Sequence, residues 1–411
     1  MRETAPRVLL LIPTTSYKTT DFMEAAERLG VELVVGTDRR QALEKLRPGH
    51  TLALDWRRPE RNVETILAAD RIRPFAAIVG ADDETTPLAA ITAEALGLPC
   101  NPPAAVAASR DKYEARRRFR AAGLAGPDFR LLPVRGDPQE AAEQVSYPCV
   151  LKPRGLSASR GVLRCDGPDA FVECFARVCA IIRSAEDRGV DRTTLMVESY
   201  IPGMECTVEG LLDGGELRVL ALLDKPDPME GPTFEETLFV TPSRMAPSVT
   251  AAVERETRRA CAALGLREGP VHAELRVAAG RPVMLELAPR TIGGLCSRTL
   301  RFGAGLTLEE VVLRHALGLG AESAKREGRA AGVSMLPVRR GGTLAGIDGV
   351  ERARALDGVR EVTMTVHRGD TLEPLPEGHR YAGFIFAEGD SAEQATATLR
   401  AATALIELRY A

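Results

Sequence analysis

Residues 271–290 read VHAELRVAAGRPVMLELAPR, and the interpretation of the fold depends on this stretch. Apolar and polar residues alternate over residues 271–277, which is typical of a strand with one buried face. A second, mostly apolar strand follows over residues 283–287, and Gly280 lies between the two strands. The pattern therefore predicts a β-hairpin centred on Gly280.

Such a hairpin brings two carboxylates together. Glu274 and Glu286 stand at equal distances before and after Gly280, so they are expected to lie directly opposite each other on one face. Two like charges in a cross-strand pair repel each other, unless one binds a proton or a cation lies between them. A divalent ion such as Mg²⁺, completed by substrate phosphates, would relieve this repulsion. A register shifted by one residue would instead place the two side chains on opposite faces, and both alternatives stay open.

A candidate anion-binding arginine follows the hairpin. The planar guanidinium of Arg290 suits a carboxylate or a phosphate, and Gly293 and Gly294 would let a substrate approach the backbone closely. A turn with a surface arginine would have the same sequence.

Another candidate anion site lies at residues 150–162, which read VLKPRGLSASRGV. A strand delivers Lys152, and a loop rich in Gly and Ser follows it. Gly lets backbone N–H groups approach an anion, and Ser hydroxyls add donors, while a lysine supplies a positive charge for phosphate oxygens. The segment is not a Walker loop, because the lysine precedes the glycines. A solvated hairpin turn is the alternative.

A third cluster occupies residues 195–205, which read LMVESYIPGME. An apolar strand ends here in a turn that exposes backbone at residues 199–201, and Glu198 and Glu205 are seven residues apart. Such a turn can hydrogen-bond an adenine edge through its main chain, with Glu205 reaching a ribose hydroxyl. A plain strand–turn–strand segment would have the same pattern.

The first hundred residues alternate strand and helix patterns, which predicts a mostly parallel sheet covered by helices. The helix at residues 21–29 is expected to begin at an Asp21 cap and to end at Gly30. No G-x-G-x-x-G string follows the first strand, which argues against a dinucleotide site and a dehydrogenase. The predicted elements are strands at residues 8–12, 31–35 and 76–79 and helices at residues 21–29, 41–46 and 87–96.

Composition and charge exclude several classes of protein. The 411 residues are 45% hydrophobic and 27% charged, an ordinary balance for two to three globular domains. The net charge of −3 offers no general surface for nucleic acid, and no apolar run approaches the ~20 residues that span a bilayer. The eight cysteines form no C-x-x-C pair, which favours reduced thiols in a cytoplasmic protein.

Taken together, these motifs resemble those of the ATP-grasp superfamily of carboxylate–amine ligases, and the resemblance covers nearly the whole chain. It implies an α/β protein with the ATP-grasp fold: an N-terminal Rossmann-like (pre-ATP-grasp) parallel-sheet domain, central α+β lobes and a C-terminal α+β subdomain. The expected boundaries are residues 1–100, 101–195, 196–325 and 326–411.

The resemblance also implies roles for individual residues. Glu274 and Glu286 are the expected ligands of Mg²⁺, which Mn²⁺ can replace. Arg290 and Lys152 are the expected catalytic residues, with Arg290 holding the acyl phosphate or the carboxylate. Ala288 stands where many members carry an asparagine ligand, which puts a second metal ion in doubt. The expected ATP-binding residues are Lys112, Lys152, Ser157, Ser159, Gly161, Glu198, Tyr200, Ile201, Glu205 and Met284.

The implied activity is an ATP-dependent ligase that activates a carboxylate as an acyl phosphate and couples it to an amine. Residues 289–298 and 380–389 look most like the L-amino-acid ligase (dipeptide synthase) group, so amino-acid substrates are expected. A purine-pathway-type carboxylase acting on a ribonucleotide amine and a non-catalytic nucleotide-binding relative are the alternatives. The expected partners are small molecules, with no nucleic acid and no membrane, and a homodimer is left open.

Overall fold

The N-terminal part of the chain forms a four-stranded parallel sheet in the order β3-β2-β1-β4, with helices between the strands. The computed structural model describes residues 5–39, 49–56, 58–185, 191–321 and 324–411, and the helix predicted at residues 41–46 lies outside them. The predicted parallel sheet is confirmed, although β3 and α2 were not foreseen. Its elements are β1 (Arg7–Leu11), α1 (Thr19–Leu29), β2 (Glu32–Thr37), β3 (Thr51–Ala53), α2 (Pro59–Ile72), β4 (Ala77–Gly80) and α3 (Thr86–Ala95).

The first helix does not begin as predicted. It starts at Thr19 with Lys18 at the cap position, and Asp21 lies inside the first turn. The Asp21 carboxylate instead accepts hydrogen bonds from Arg298 at 2.8–3.2 Å, a partner that local sequence does not reveal. Gly30 ends the helix with φ of 65°, as expected.

The next hundred residues form a second, antiparallel sheet in the order β5-β8-β6-β7. Lys152 is the last residue of β6, and residues 155–161 connect β6 to β7; we call residues 155–161 the phosphate loop. The elements are α4 (Pro103–Arg110), α5 (Lys112–Ala121), β5 (Phe129–Pro133), α6 (Pro138–Glu143), β6 (Cys149–Lys152), β7 (Leu163–Cys165), α7 (Pro168–Ser184) and β8 (Thr194–Ser199).

An eight-stranded antiparallel sheet, in the order β13-β12-β9-β10-β11-β14-β18-β16, contains most strands of the remaining chain. Its elements and flanking helices are β9 (Met204–Asp213), β10 (Glu216–Lys225), β11 (Leu238–Thr241), α8 (Pro247–Leu264), β12 (Gly269–Ala278), β13 (Arg281–Ala288), α9 (Leu308–Ala316), β14 (Ala330–Leu336), β16 (Val359–Met364) and β18 (Gly383–Gly389). The sheet continues across the predicted boundary between residues 325 and 326, and the division into four domains stays a prediction.

A small sheet in the order β17-β15-β19 completes the C-terminal part. Among the residues described, no helix combines the length and hydropathy needed to cross a membrane. All eight cysteines are free thiols. The remaining elements are β15 (Gly342–Asp348), α10 (Val350–Arg354), β17 (Thr371–Leu372), α11 (Ala392–Thr403) and β19 (Glu407–Tyr410).

The hairpin of β12 and β13 has the predicted pairing, but for a different reason. Glu274 lies opposite Glu286. The turn, however, consists of two residues, Ala279 and Gly280, with φ of 50° and 75°, as in a tight two-residue hairpin turn. With this turn alone, Glu274 would pair with Leu285. A β-bulge at Leu285 shifts the register by one residue, so that Glu274 pairs with Glu286 instead.

Candidate active site

A cavity of about 890 Å³ is lined by residues from the three larger sheets and their loops. It brings together predicted site residues that are up to 178 positions apart in the sequence, because the phosphate loop, the end of β8 and the β12–β13 hairpin all face it. The predicted site residues that line it are Lys112, Lys152, Ser157, Ser159, Glu198, Tyr200, Ile201, Glu205, Glu274, Glu286 and Arg290.

Two predicted nucleotide-binding residues do not line the cavity. Met284 is 1% exposed and packs in the hydrophobic core beside Leu275. The β-bulge is the reason: Met284 pairs with Leu275 on the core side, and the bulged Leu285 lies on the cavity side instead. Gly161 ends the phosphate loop, where its N–H donates to the carbonyl of Pro376 at 2.9 Å.

Glu198, an expected ATP-binding residue, lies just before the turn at residues 199–203, which we call the hinge, and it is a buried counter-ion. Its carboxylate is 4% exposed, accepts a hydrogen bond from Arg116 Nε at 3.0 Å and contacts the ammonium of Lys152. Burial alone would raise the pKa of Glu198, but the charges of Arg116 and Lys152 lower it to about 2. The side chain therefore holds Lys152 in place, while the neighbouring residues 199–201 line the cavity.

An apolar pocket lies beside this hinge. Tyr200 stacks on Phe234 with ring centroids 6.4 Å apart, and both pack with Val150, Val162 and Met229. Apolar and aromatic walls of this kind are typical of sites for planar heterocycles. The pocket therefore fits the adenine role that the resemblance implies for the hinge.

Lys112 links the phosphate loop to the hairpin. The preceding Asp111 caps α5 by accepting from the N–H groups of Tyr113 and Glu114 at 3.0 and 3.2 Å. This cap fixes the first turn, from which Lys112 Nζ donates to the carbonyl of Leu156 at 2.6 Å. The same ammonium lies 3.3 Å from a carboxylate oxygen of Glu286.

Three carboxylates, from Glu205, Glu236 and Glu274, have oxygens within 4.8 Å of one another. The buried ammonium of Lys225 lies among them, 2.6 Å from Glu205 and 3.3 Å from Glu274, and also contacts Glu236. Glu205 is 5% exposed and also forms an ion pair with Arg276 at 3.1 Å. Both carboxylate oxygens of Glu205 are therefore engaged by cations. Its expected contact with ribose stays a prediction.

Glu274 and Glu286 fit a divalent ion. They form a cross-strand pair, both line the cavity, and their side chains are 24% and 31% exposed, so their oxygens are accessible. Burial would raise the pKa of Glu274, but Lys225 and His272 lower it well below its usual range. Ionised carboxylates of this kind are the ligands that Mg²⁺ prefers. Ala288 is buried and lies opposite His272, and it offers no side-chain ligand.

His272 is held between two carboxylates rather than free in the cavity. Its Nδ1 lies 2.5 Å from Glu209 and its Nε2 lies 3.2 Å from Glu274. Burial would lower its pKa, but the Glu209 charge and hydrogen bonds to both carboxylates raise the pKa of His272 to about 9. The imidazolium is therefore a fixed positive charge beside Glu274 at neutral pH.

Arg290 is oriented by the N-terminal sheet. Its Nε and Nη2 donate to Asp83 at 2.9 and 2.8 Å, and its Nη1 donates to the carbonyl of Thr291 at 2.9 Å. Lys18, 1% exposed, donates to the carbonyl and hydroxyl of Thr291, each at 3.3 Å. A guanidinium has five N–H groups, so two remain for a ligand in the cavity.

Three protein-family models match parts of the chain. The ATP-grasp N-terminal domain matches residues 23–100, the ATP-grasp domain matches residues 145–299, and the L-amino acid ligase C-terminal domain 2 matches residues 334–411. The chain belongs to the ATP-grasp superfamily. The expected fold is thereby confirmed, together with the resemblance to the L-amino acid ligase group.

The chain is also similar to solved and curated proteins. The chain is similar to the L-amino acid ligase from Bacillus licheniformis, with 25% identity and a TM-score of 0.82 over 100% of both chains. It is 30% identical to carnosine synthase 1 from Gallus gallus over 72% of this chain and 34% of that protein. It is 24% identical to alanine–anticapsin ligase from Bacillus subtilis over 74% of this chain and 67% of that protein. The chain spans 27% to 63% of the length of three curated relatives that it matches.

Sequence reasoning did not assign several residues of this ATP-grasp site. Arg116 stands in the basic segment at residues 110–120, but nothing local marks which of its cations is buried. Lys18 and Asp83 lie in loops that follow β1 and β4. The carboxyl ends of parallel strands meet at one edge of a sheet, where ligands commonly bind. The position of Lys18 and Asp83 after two such strands was therefore the sequence signal that could have identified them.

The hinge of the ATP-grasp site leads to a first prediction. A Cβ at Gly203, where φ is 113°, would lie 2.2 Å from the carbonyl oxygen of Val277. Gly203→Ala is therefore expected to lower the free energy of unfolding by about 2–3 kcal/mol and to weaken ATP binding by moving the hinge. Denaturant unfolding and ATP titration measure the two effects.

Gly214→Ala is the matched control for this substitution. Gly214 has φ of 58°, and a Cβ there would have nothing within 4 Å. The control should cost only about 1 kcal/mol and leave ATP affinity unchanged. Equal costs for the two variants would show that close contact with Val277 does not constrain the hinge.

Proposed function

We propose that the protein is an ADP-forming ligase that activates a substrate carboxylate as an acyl phosphate and couples it to an amine. The observation that carries the proposal is the single cavity in which Lys112, Lys152 and the phosphate loop face Glu274 and Glu286. The names of the similar proteins, two of them amino-acid ligases, support amino-acid substrates.

The triphosphate would be bound by groups that lie around the phosphate loop. Lys112 and Lys152 supply positive charge, and Ser157 and Ser159 supply hydroxyl donors. Glu274 and Glu286 would hold Mg²⁺, whose chemistry is to neutralise phosphate charge. Phosphoryl transfer requires mainly positioning and charge neutralisation, which this set of residues can provide.

Two bond-forming steps follow. A carboxylate oxygen of the first substrate attacks the γ-phosphorus, and ADP leaves. The amine nitrogen of the second substrate then attacks the acyl carbon, phosphate leaves, and the nitrogen loses a proton. Arg290 offers its two remaining N–H groups to the developing charge, and Asp83 keeps them oriented. Closure of the phosphate loop would exclude water, which otherwise hydrolyses the acyl phosphate.

The other lining of the cavity supports a particular amine substrate. Phe239, Met335 and Tyr381 provide an apolar wall, and Glu236 lies near Tyr381, where burial and the Glu236 charge raise the pKa of Tyr381 well above its usual value. One oxygen of Glu236 contacts Lys225, and the other oxygen, beside the apolar wall, suits the ammonium group of an amino acid with an apolar side chain. We place the enzyme in the cytoplasm because of its free thiols.

A coupled ADP-release assay with pairwise amino-acid mixtures tests the proposal. We expect ADP release that depends on an amino-acid pair, with a product whose mass equals the two substrates minus water. ADP release that requires bicarbonate and a ribonucleotide amine would instead identify a purine-type carboxylase. ATP binding without any ADP release would identify a non-catalytic relative, and either result would contradict the proposal.

A further inference from the structure

Residues 374–381, between β17 and β18, contact the phosphate loop although they lie more than 200 positions away in the sequence; we call them the strap. The N–H of Gly161 donates to the carbonyl of Pro376 at 2.9 Å. Arg160 Nε donates to the carbonyl of Glu377 at 3.2 Å. The C-terminal end of the phosphate loop is thus bound to the strap through two hydrogen bonds.

A side-chain contact adds a third connection. Arg177 on α7 donates to both carboxylate oxygens of Glu377, at 2.5 Å from Nε and 2.8 Å from Nη2. Bidentate pairs of this kind fix orientation as well as distance. Glu377 therefore anchors the strap to α7 while its own carbonyl holds the phosphate loop.

The strap has a tight turn that limits its conformations. The N–H of Gly378 donates to the carbonyl of Pro374 at 2.8 Å. A Cβ at Gly378 would lie 1.8 Å from the carbonyl oxygen of Glu373, so the turn accepts only glycine without rearrangement. The turn therefore holds its two ends in one relative arrangement.

The other end of the strap lines the cavity. His379, Arg380 and Tyr381 face the same space as Ser157 and Ser159 of the phosphate loop. The carbonyl of Tyr381 accepts from the hydroxyl of Thr365 at 2.6 Å, which fixes the main chain there. A substrate that touches Tyr381 therefore touches the segment that holds the phosphate loop.

We propose that Glu377 is a positioning residue through which the strap couples occupancy of the cavity near Tyr381 to closure of the phosphate loop. The coupling deepens the proposed ligase function and rests on it. Its consequence is that ATP is cleaved efficiently only when an amino-acid substrate contacts the strap, which limits wasteful hydrolysis. The Arg177–Glu377 pair lies at the surface, so its loss should loosen the loop without unfolding the protein.

Hydrogen exchange of residues 155–161 tests the coupling without depending on turnover. We expect Glu377→Arg and Arg177→Glu each to accelerate exchange in this segment about three- to tenfold. The double variant, which exchanges the two charges, should restore the wild-type rate. The matched control is Glu351→Arg, which disrupts the exposed Arg354–Glu351 pair in α10 and should leave the segment unchanged. Unchanged exchange in Glu377→Arg, or no rescue by the double variant, would overturn the proposal.

A second arm tests the link to substrate. A mixture of the twenty amino acids with a non-hydrolysable ATP analogue should slow exchange in residues 155–161 of the wild type but not of Glu377→Arg. In turnover assays the variant should show a higher ratio of amine-independent to amine-dependent ADP release. Equal slowing in both proteins would refute the coupling. Absence of ADP release from the wild type with every pair would refute the ligase function instead, while the charge-exchange result still decides whether the strap holds the loop.

Discussion

Glu286→Gln is expected to reduce ADP release by roughly a thousandfold or more, because it removes one of the two carboxylates that would hold Mg²⁺ beside the triphosphate. Loss of several kcal/mol of charge stabilisation corresponds to this decrease in rate. The fold should be unaffected, since Glu286 is 31% exposed and its glutamine replacement has nearly the same shape. A coupled ADP assay and a thermal unfolding curve measure the two quantities.

The control is Glu351→Gln, which makes the same chemical change at an exposed carboxylate in α10. It should retain wild-type turnover and stability. Turnover by Glu286→Gln close to that of the control would show that Glu286 is not needed as a metal ligand. It would contradict the assignment of two metal-binding carboxylates.

Glu198→Gln is expected to have the largest effect on stability, a loss of about 3–5 kcal/mol in the free energy of unfolding. Glu198 is 4% exposed, and the substitution leaves the buried charges of Arg116 and Lys152 without their counter-ion. Denaturant unfolding monitored by circular dichroism measures the loss. A cost below about 1 kcal/mol, similar to that of a surface pair, would show that the three charges do not form a buried unit.

The same residue predicts a dependence of stability on pH. The pKa of Glu198 is about 2 in the folded protein, against a usual value of 4.5, because Arg116 and Lys152 overcome the effect of burial. A lowered pKa means that the stabilisation is complete above pH 4.5 and is lost as the pH falls toward 2. The difference in stability between wild type and Glu198→Gln should therefore shrink over that interval.

The sequence predicted what depends on local pattern. Continuous apolar runs indicated the buried strands of the parallel sheet, and β1 is buried along its whole length. The alternation in residues 271–277 indicated which face of β12 carries Glu274. These features follow from side-chain periodicity, which local sequence contains.

The rest depends on tertiary contacts. Nothing near Met284 shows that a bulge at Leu285 shifts it into the core. Likewise, nothing near Glu198 shows that its side chain would be drawn to Arg116 on α5, 82 positions away. The sequence pattern could assign such residues to a strand or helix near the site. Their contact partners, however, follow only from the folded structure.

Binding of Mn²⁺ in the presence of a non-hydrolysable ATP analogue, measured by electron paramagnetic resonance, tests the central claim most directly. The paired carboxylates are predicted to hold the metal ion that accompanies the triphosphate. The wild type should immobilise Mn²⁺ together with the nucleotide, and the double variant Glu274→Gln/Glu286→Gln should not. Equal binding of Mn²⁺ and nucleotide by the wild type and the double variant would contradict the account.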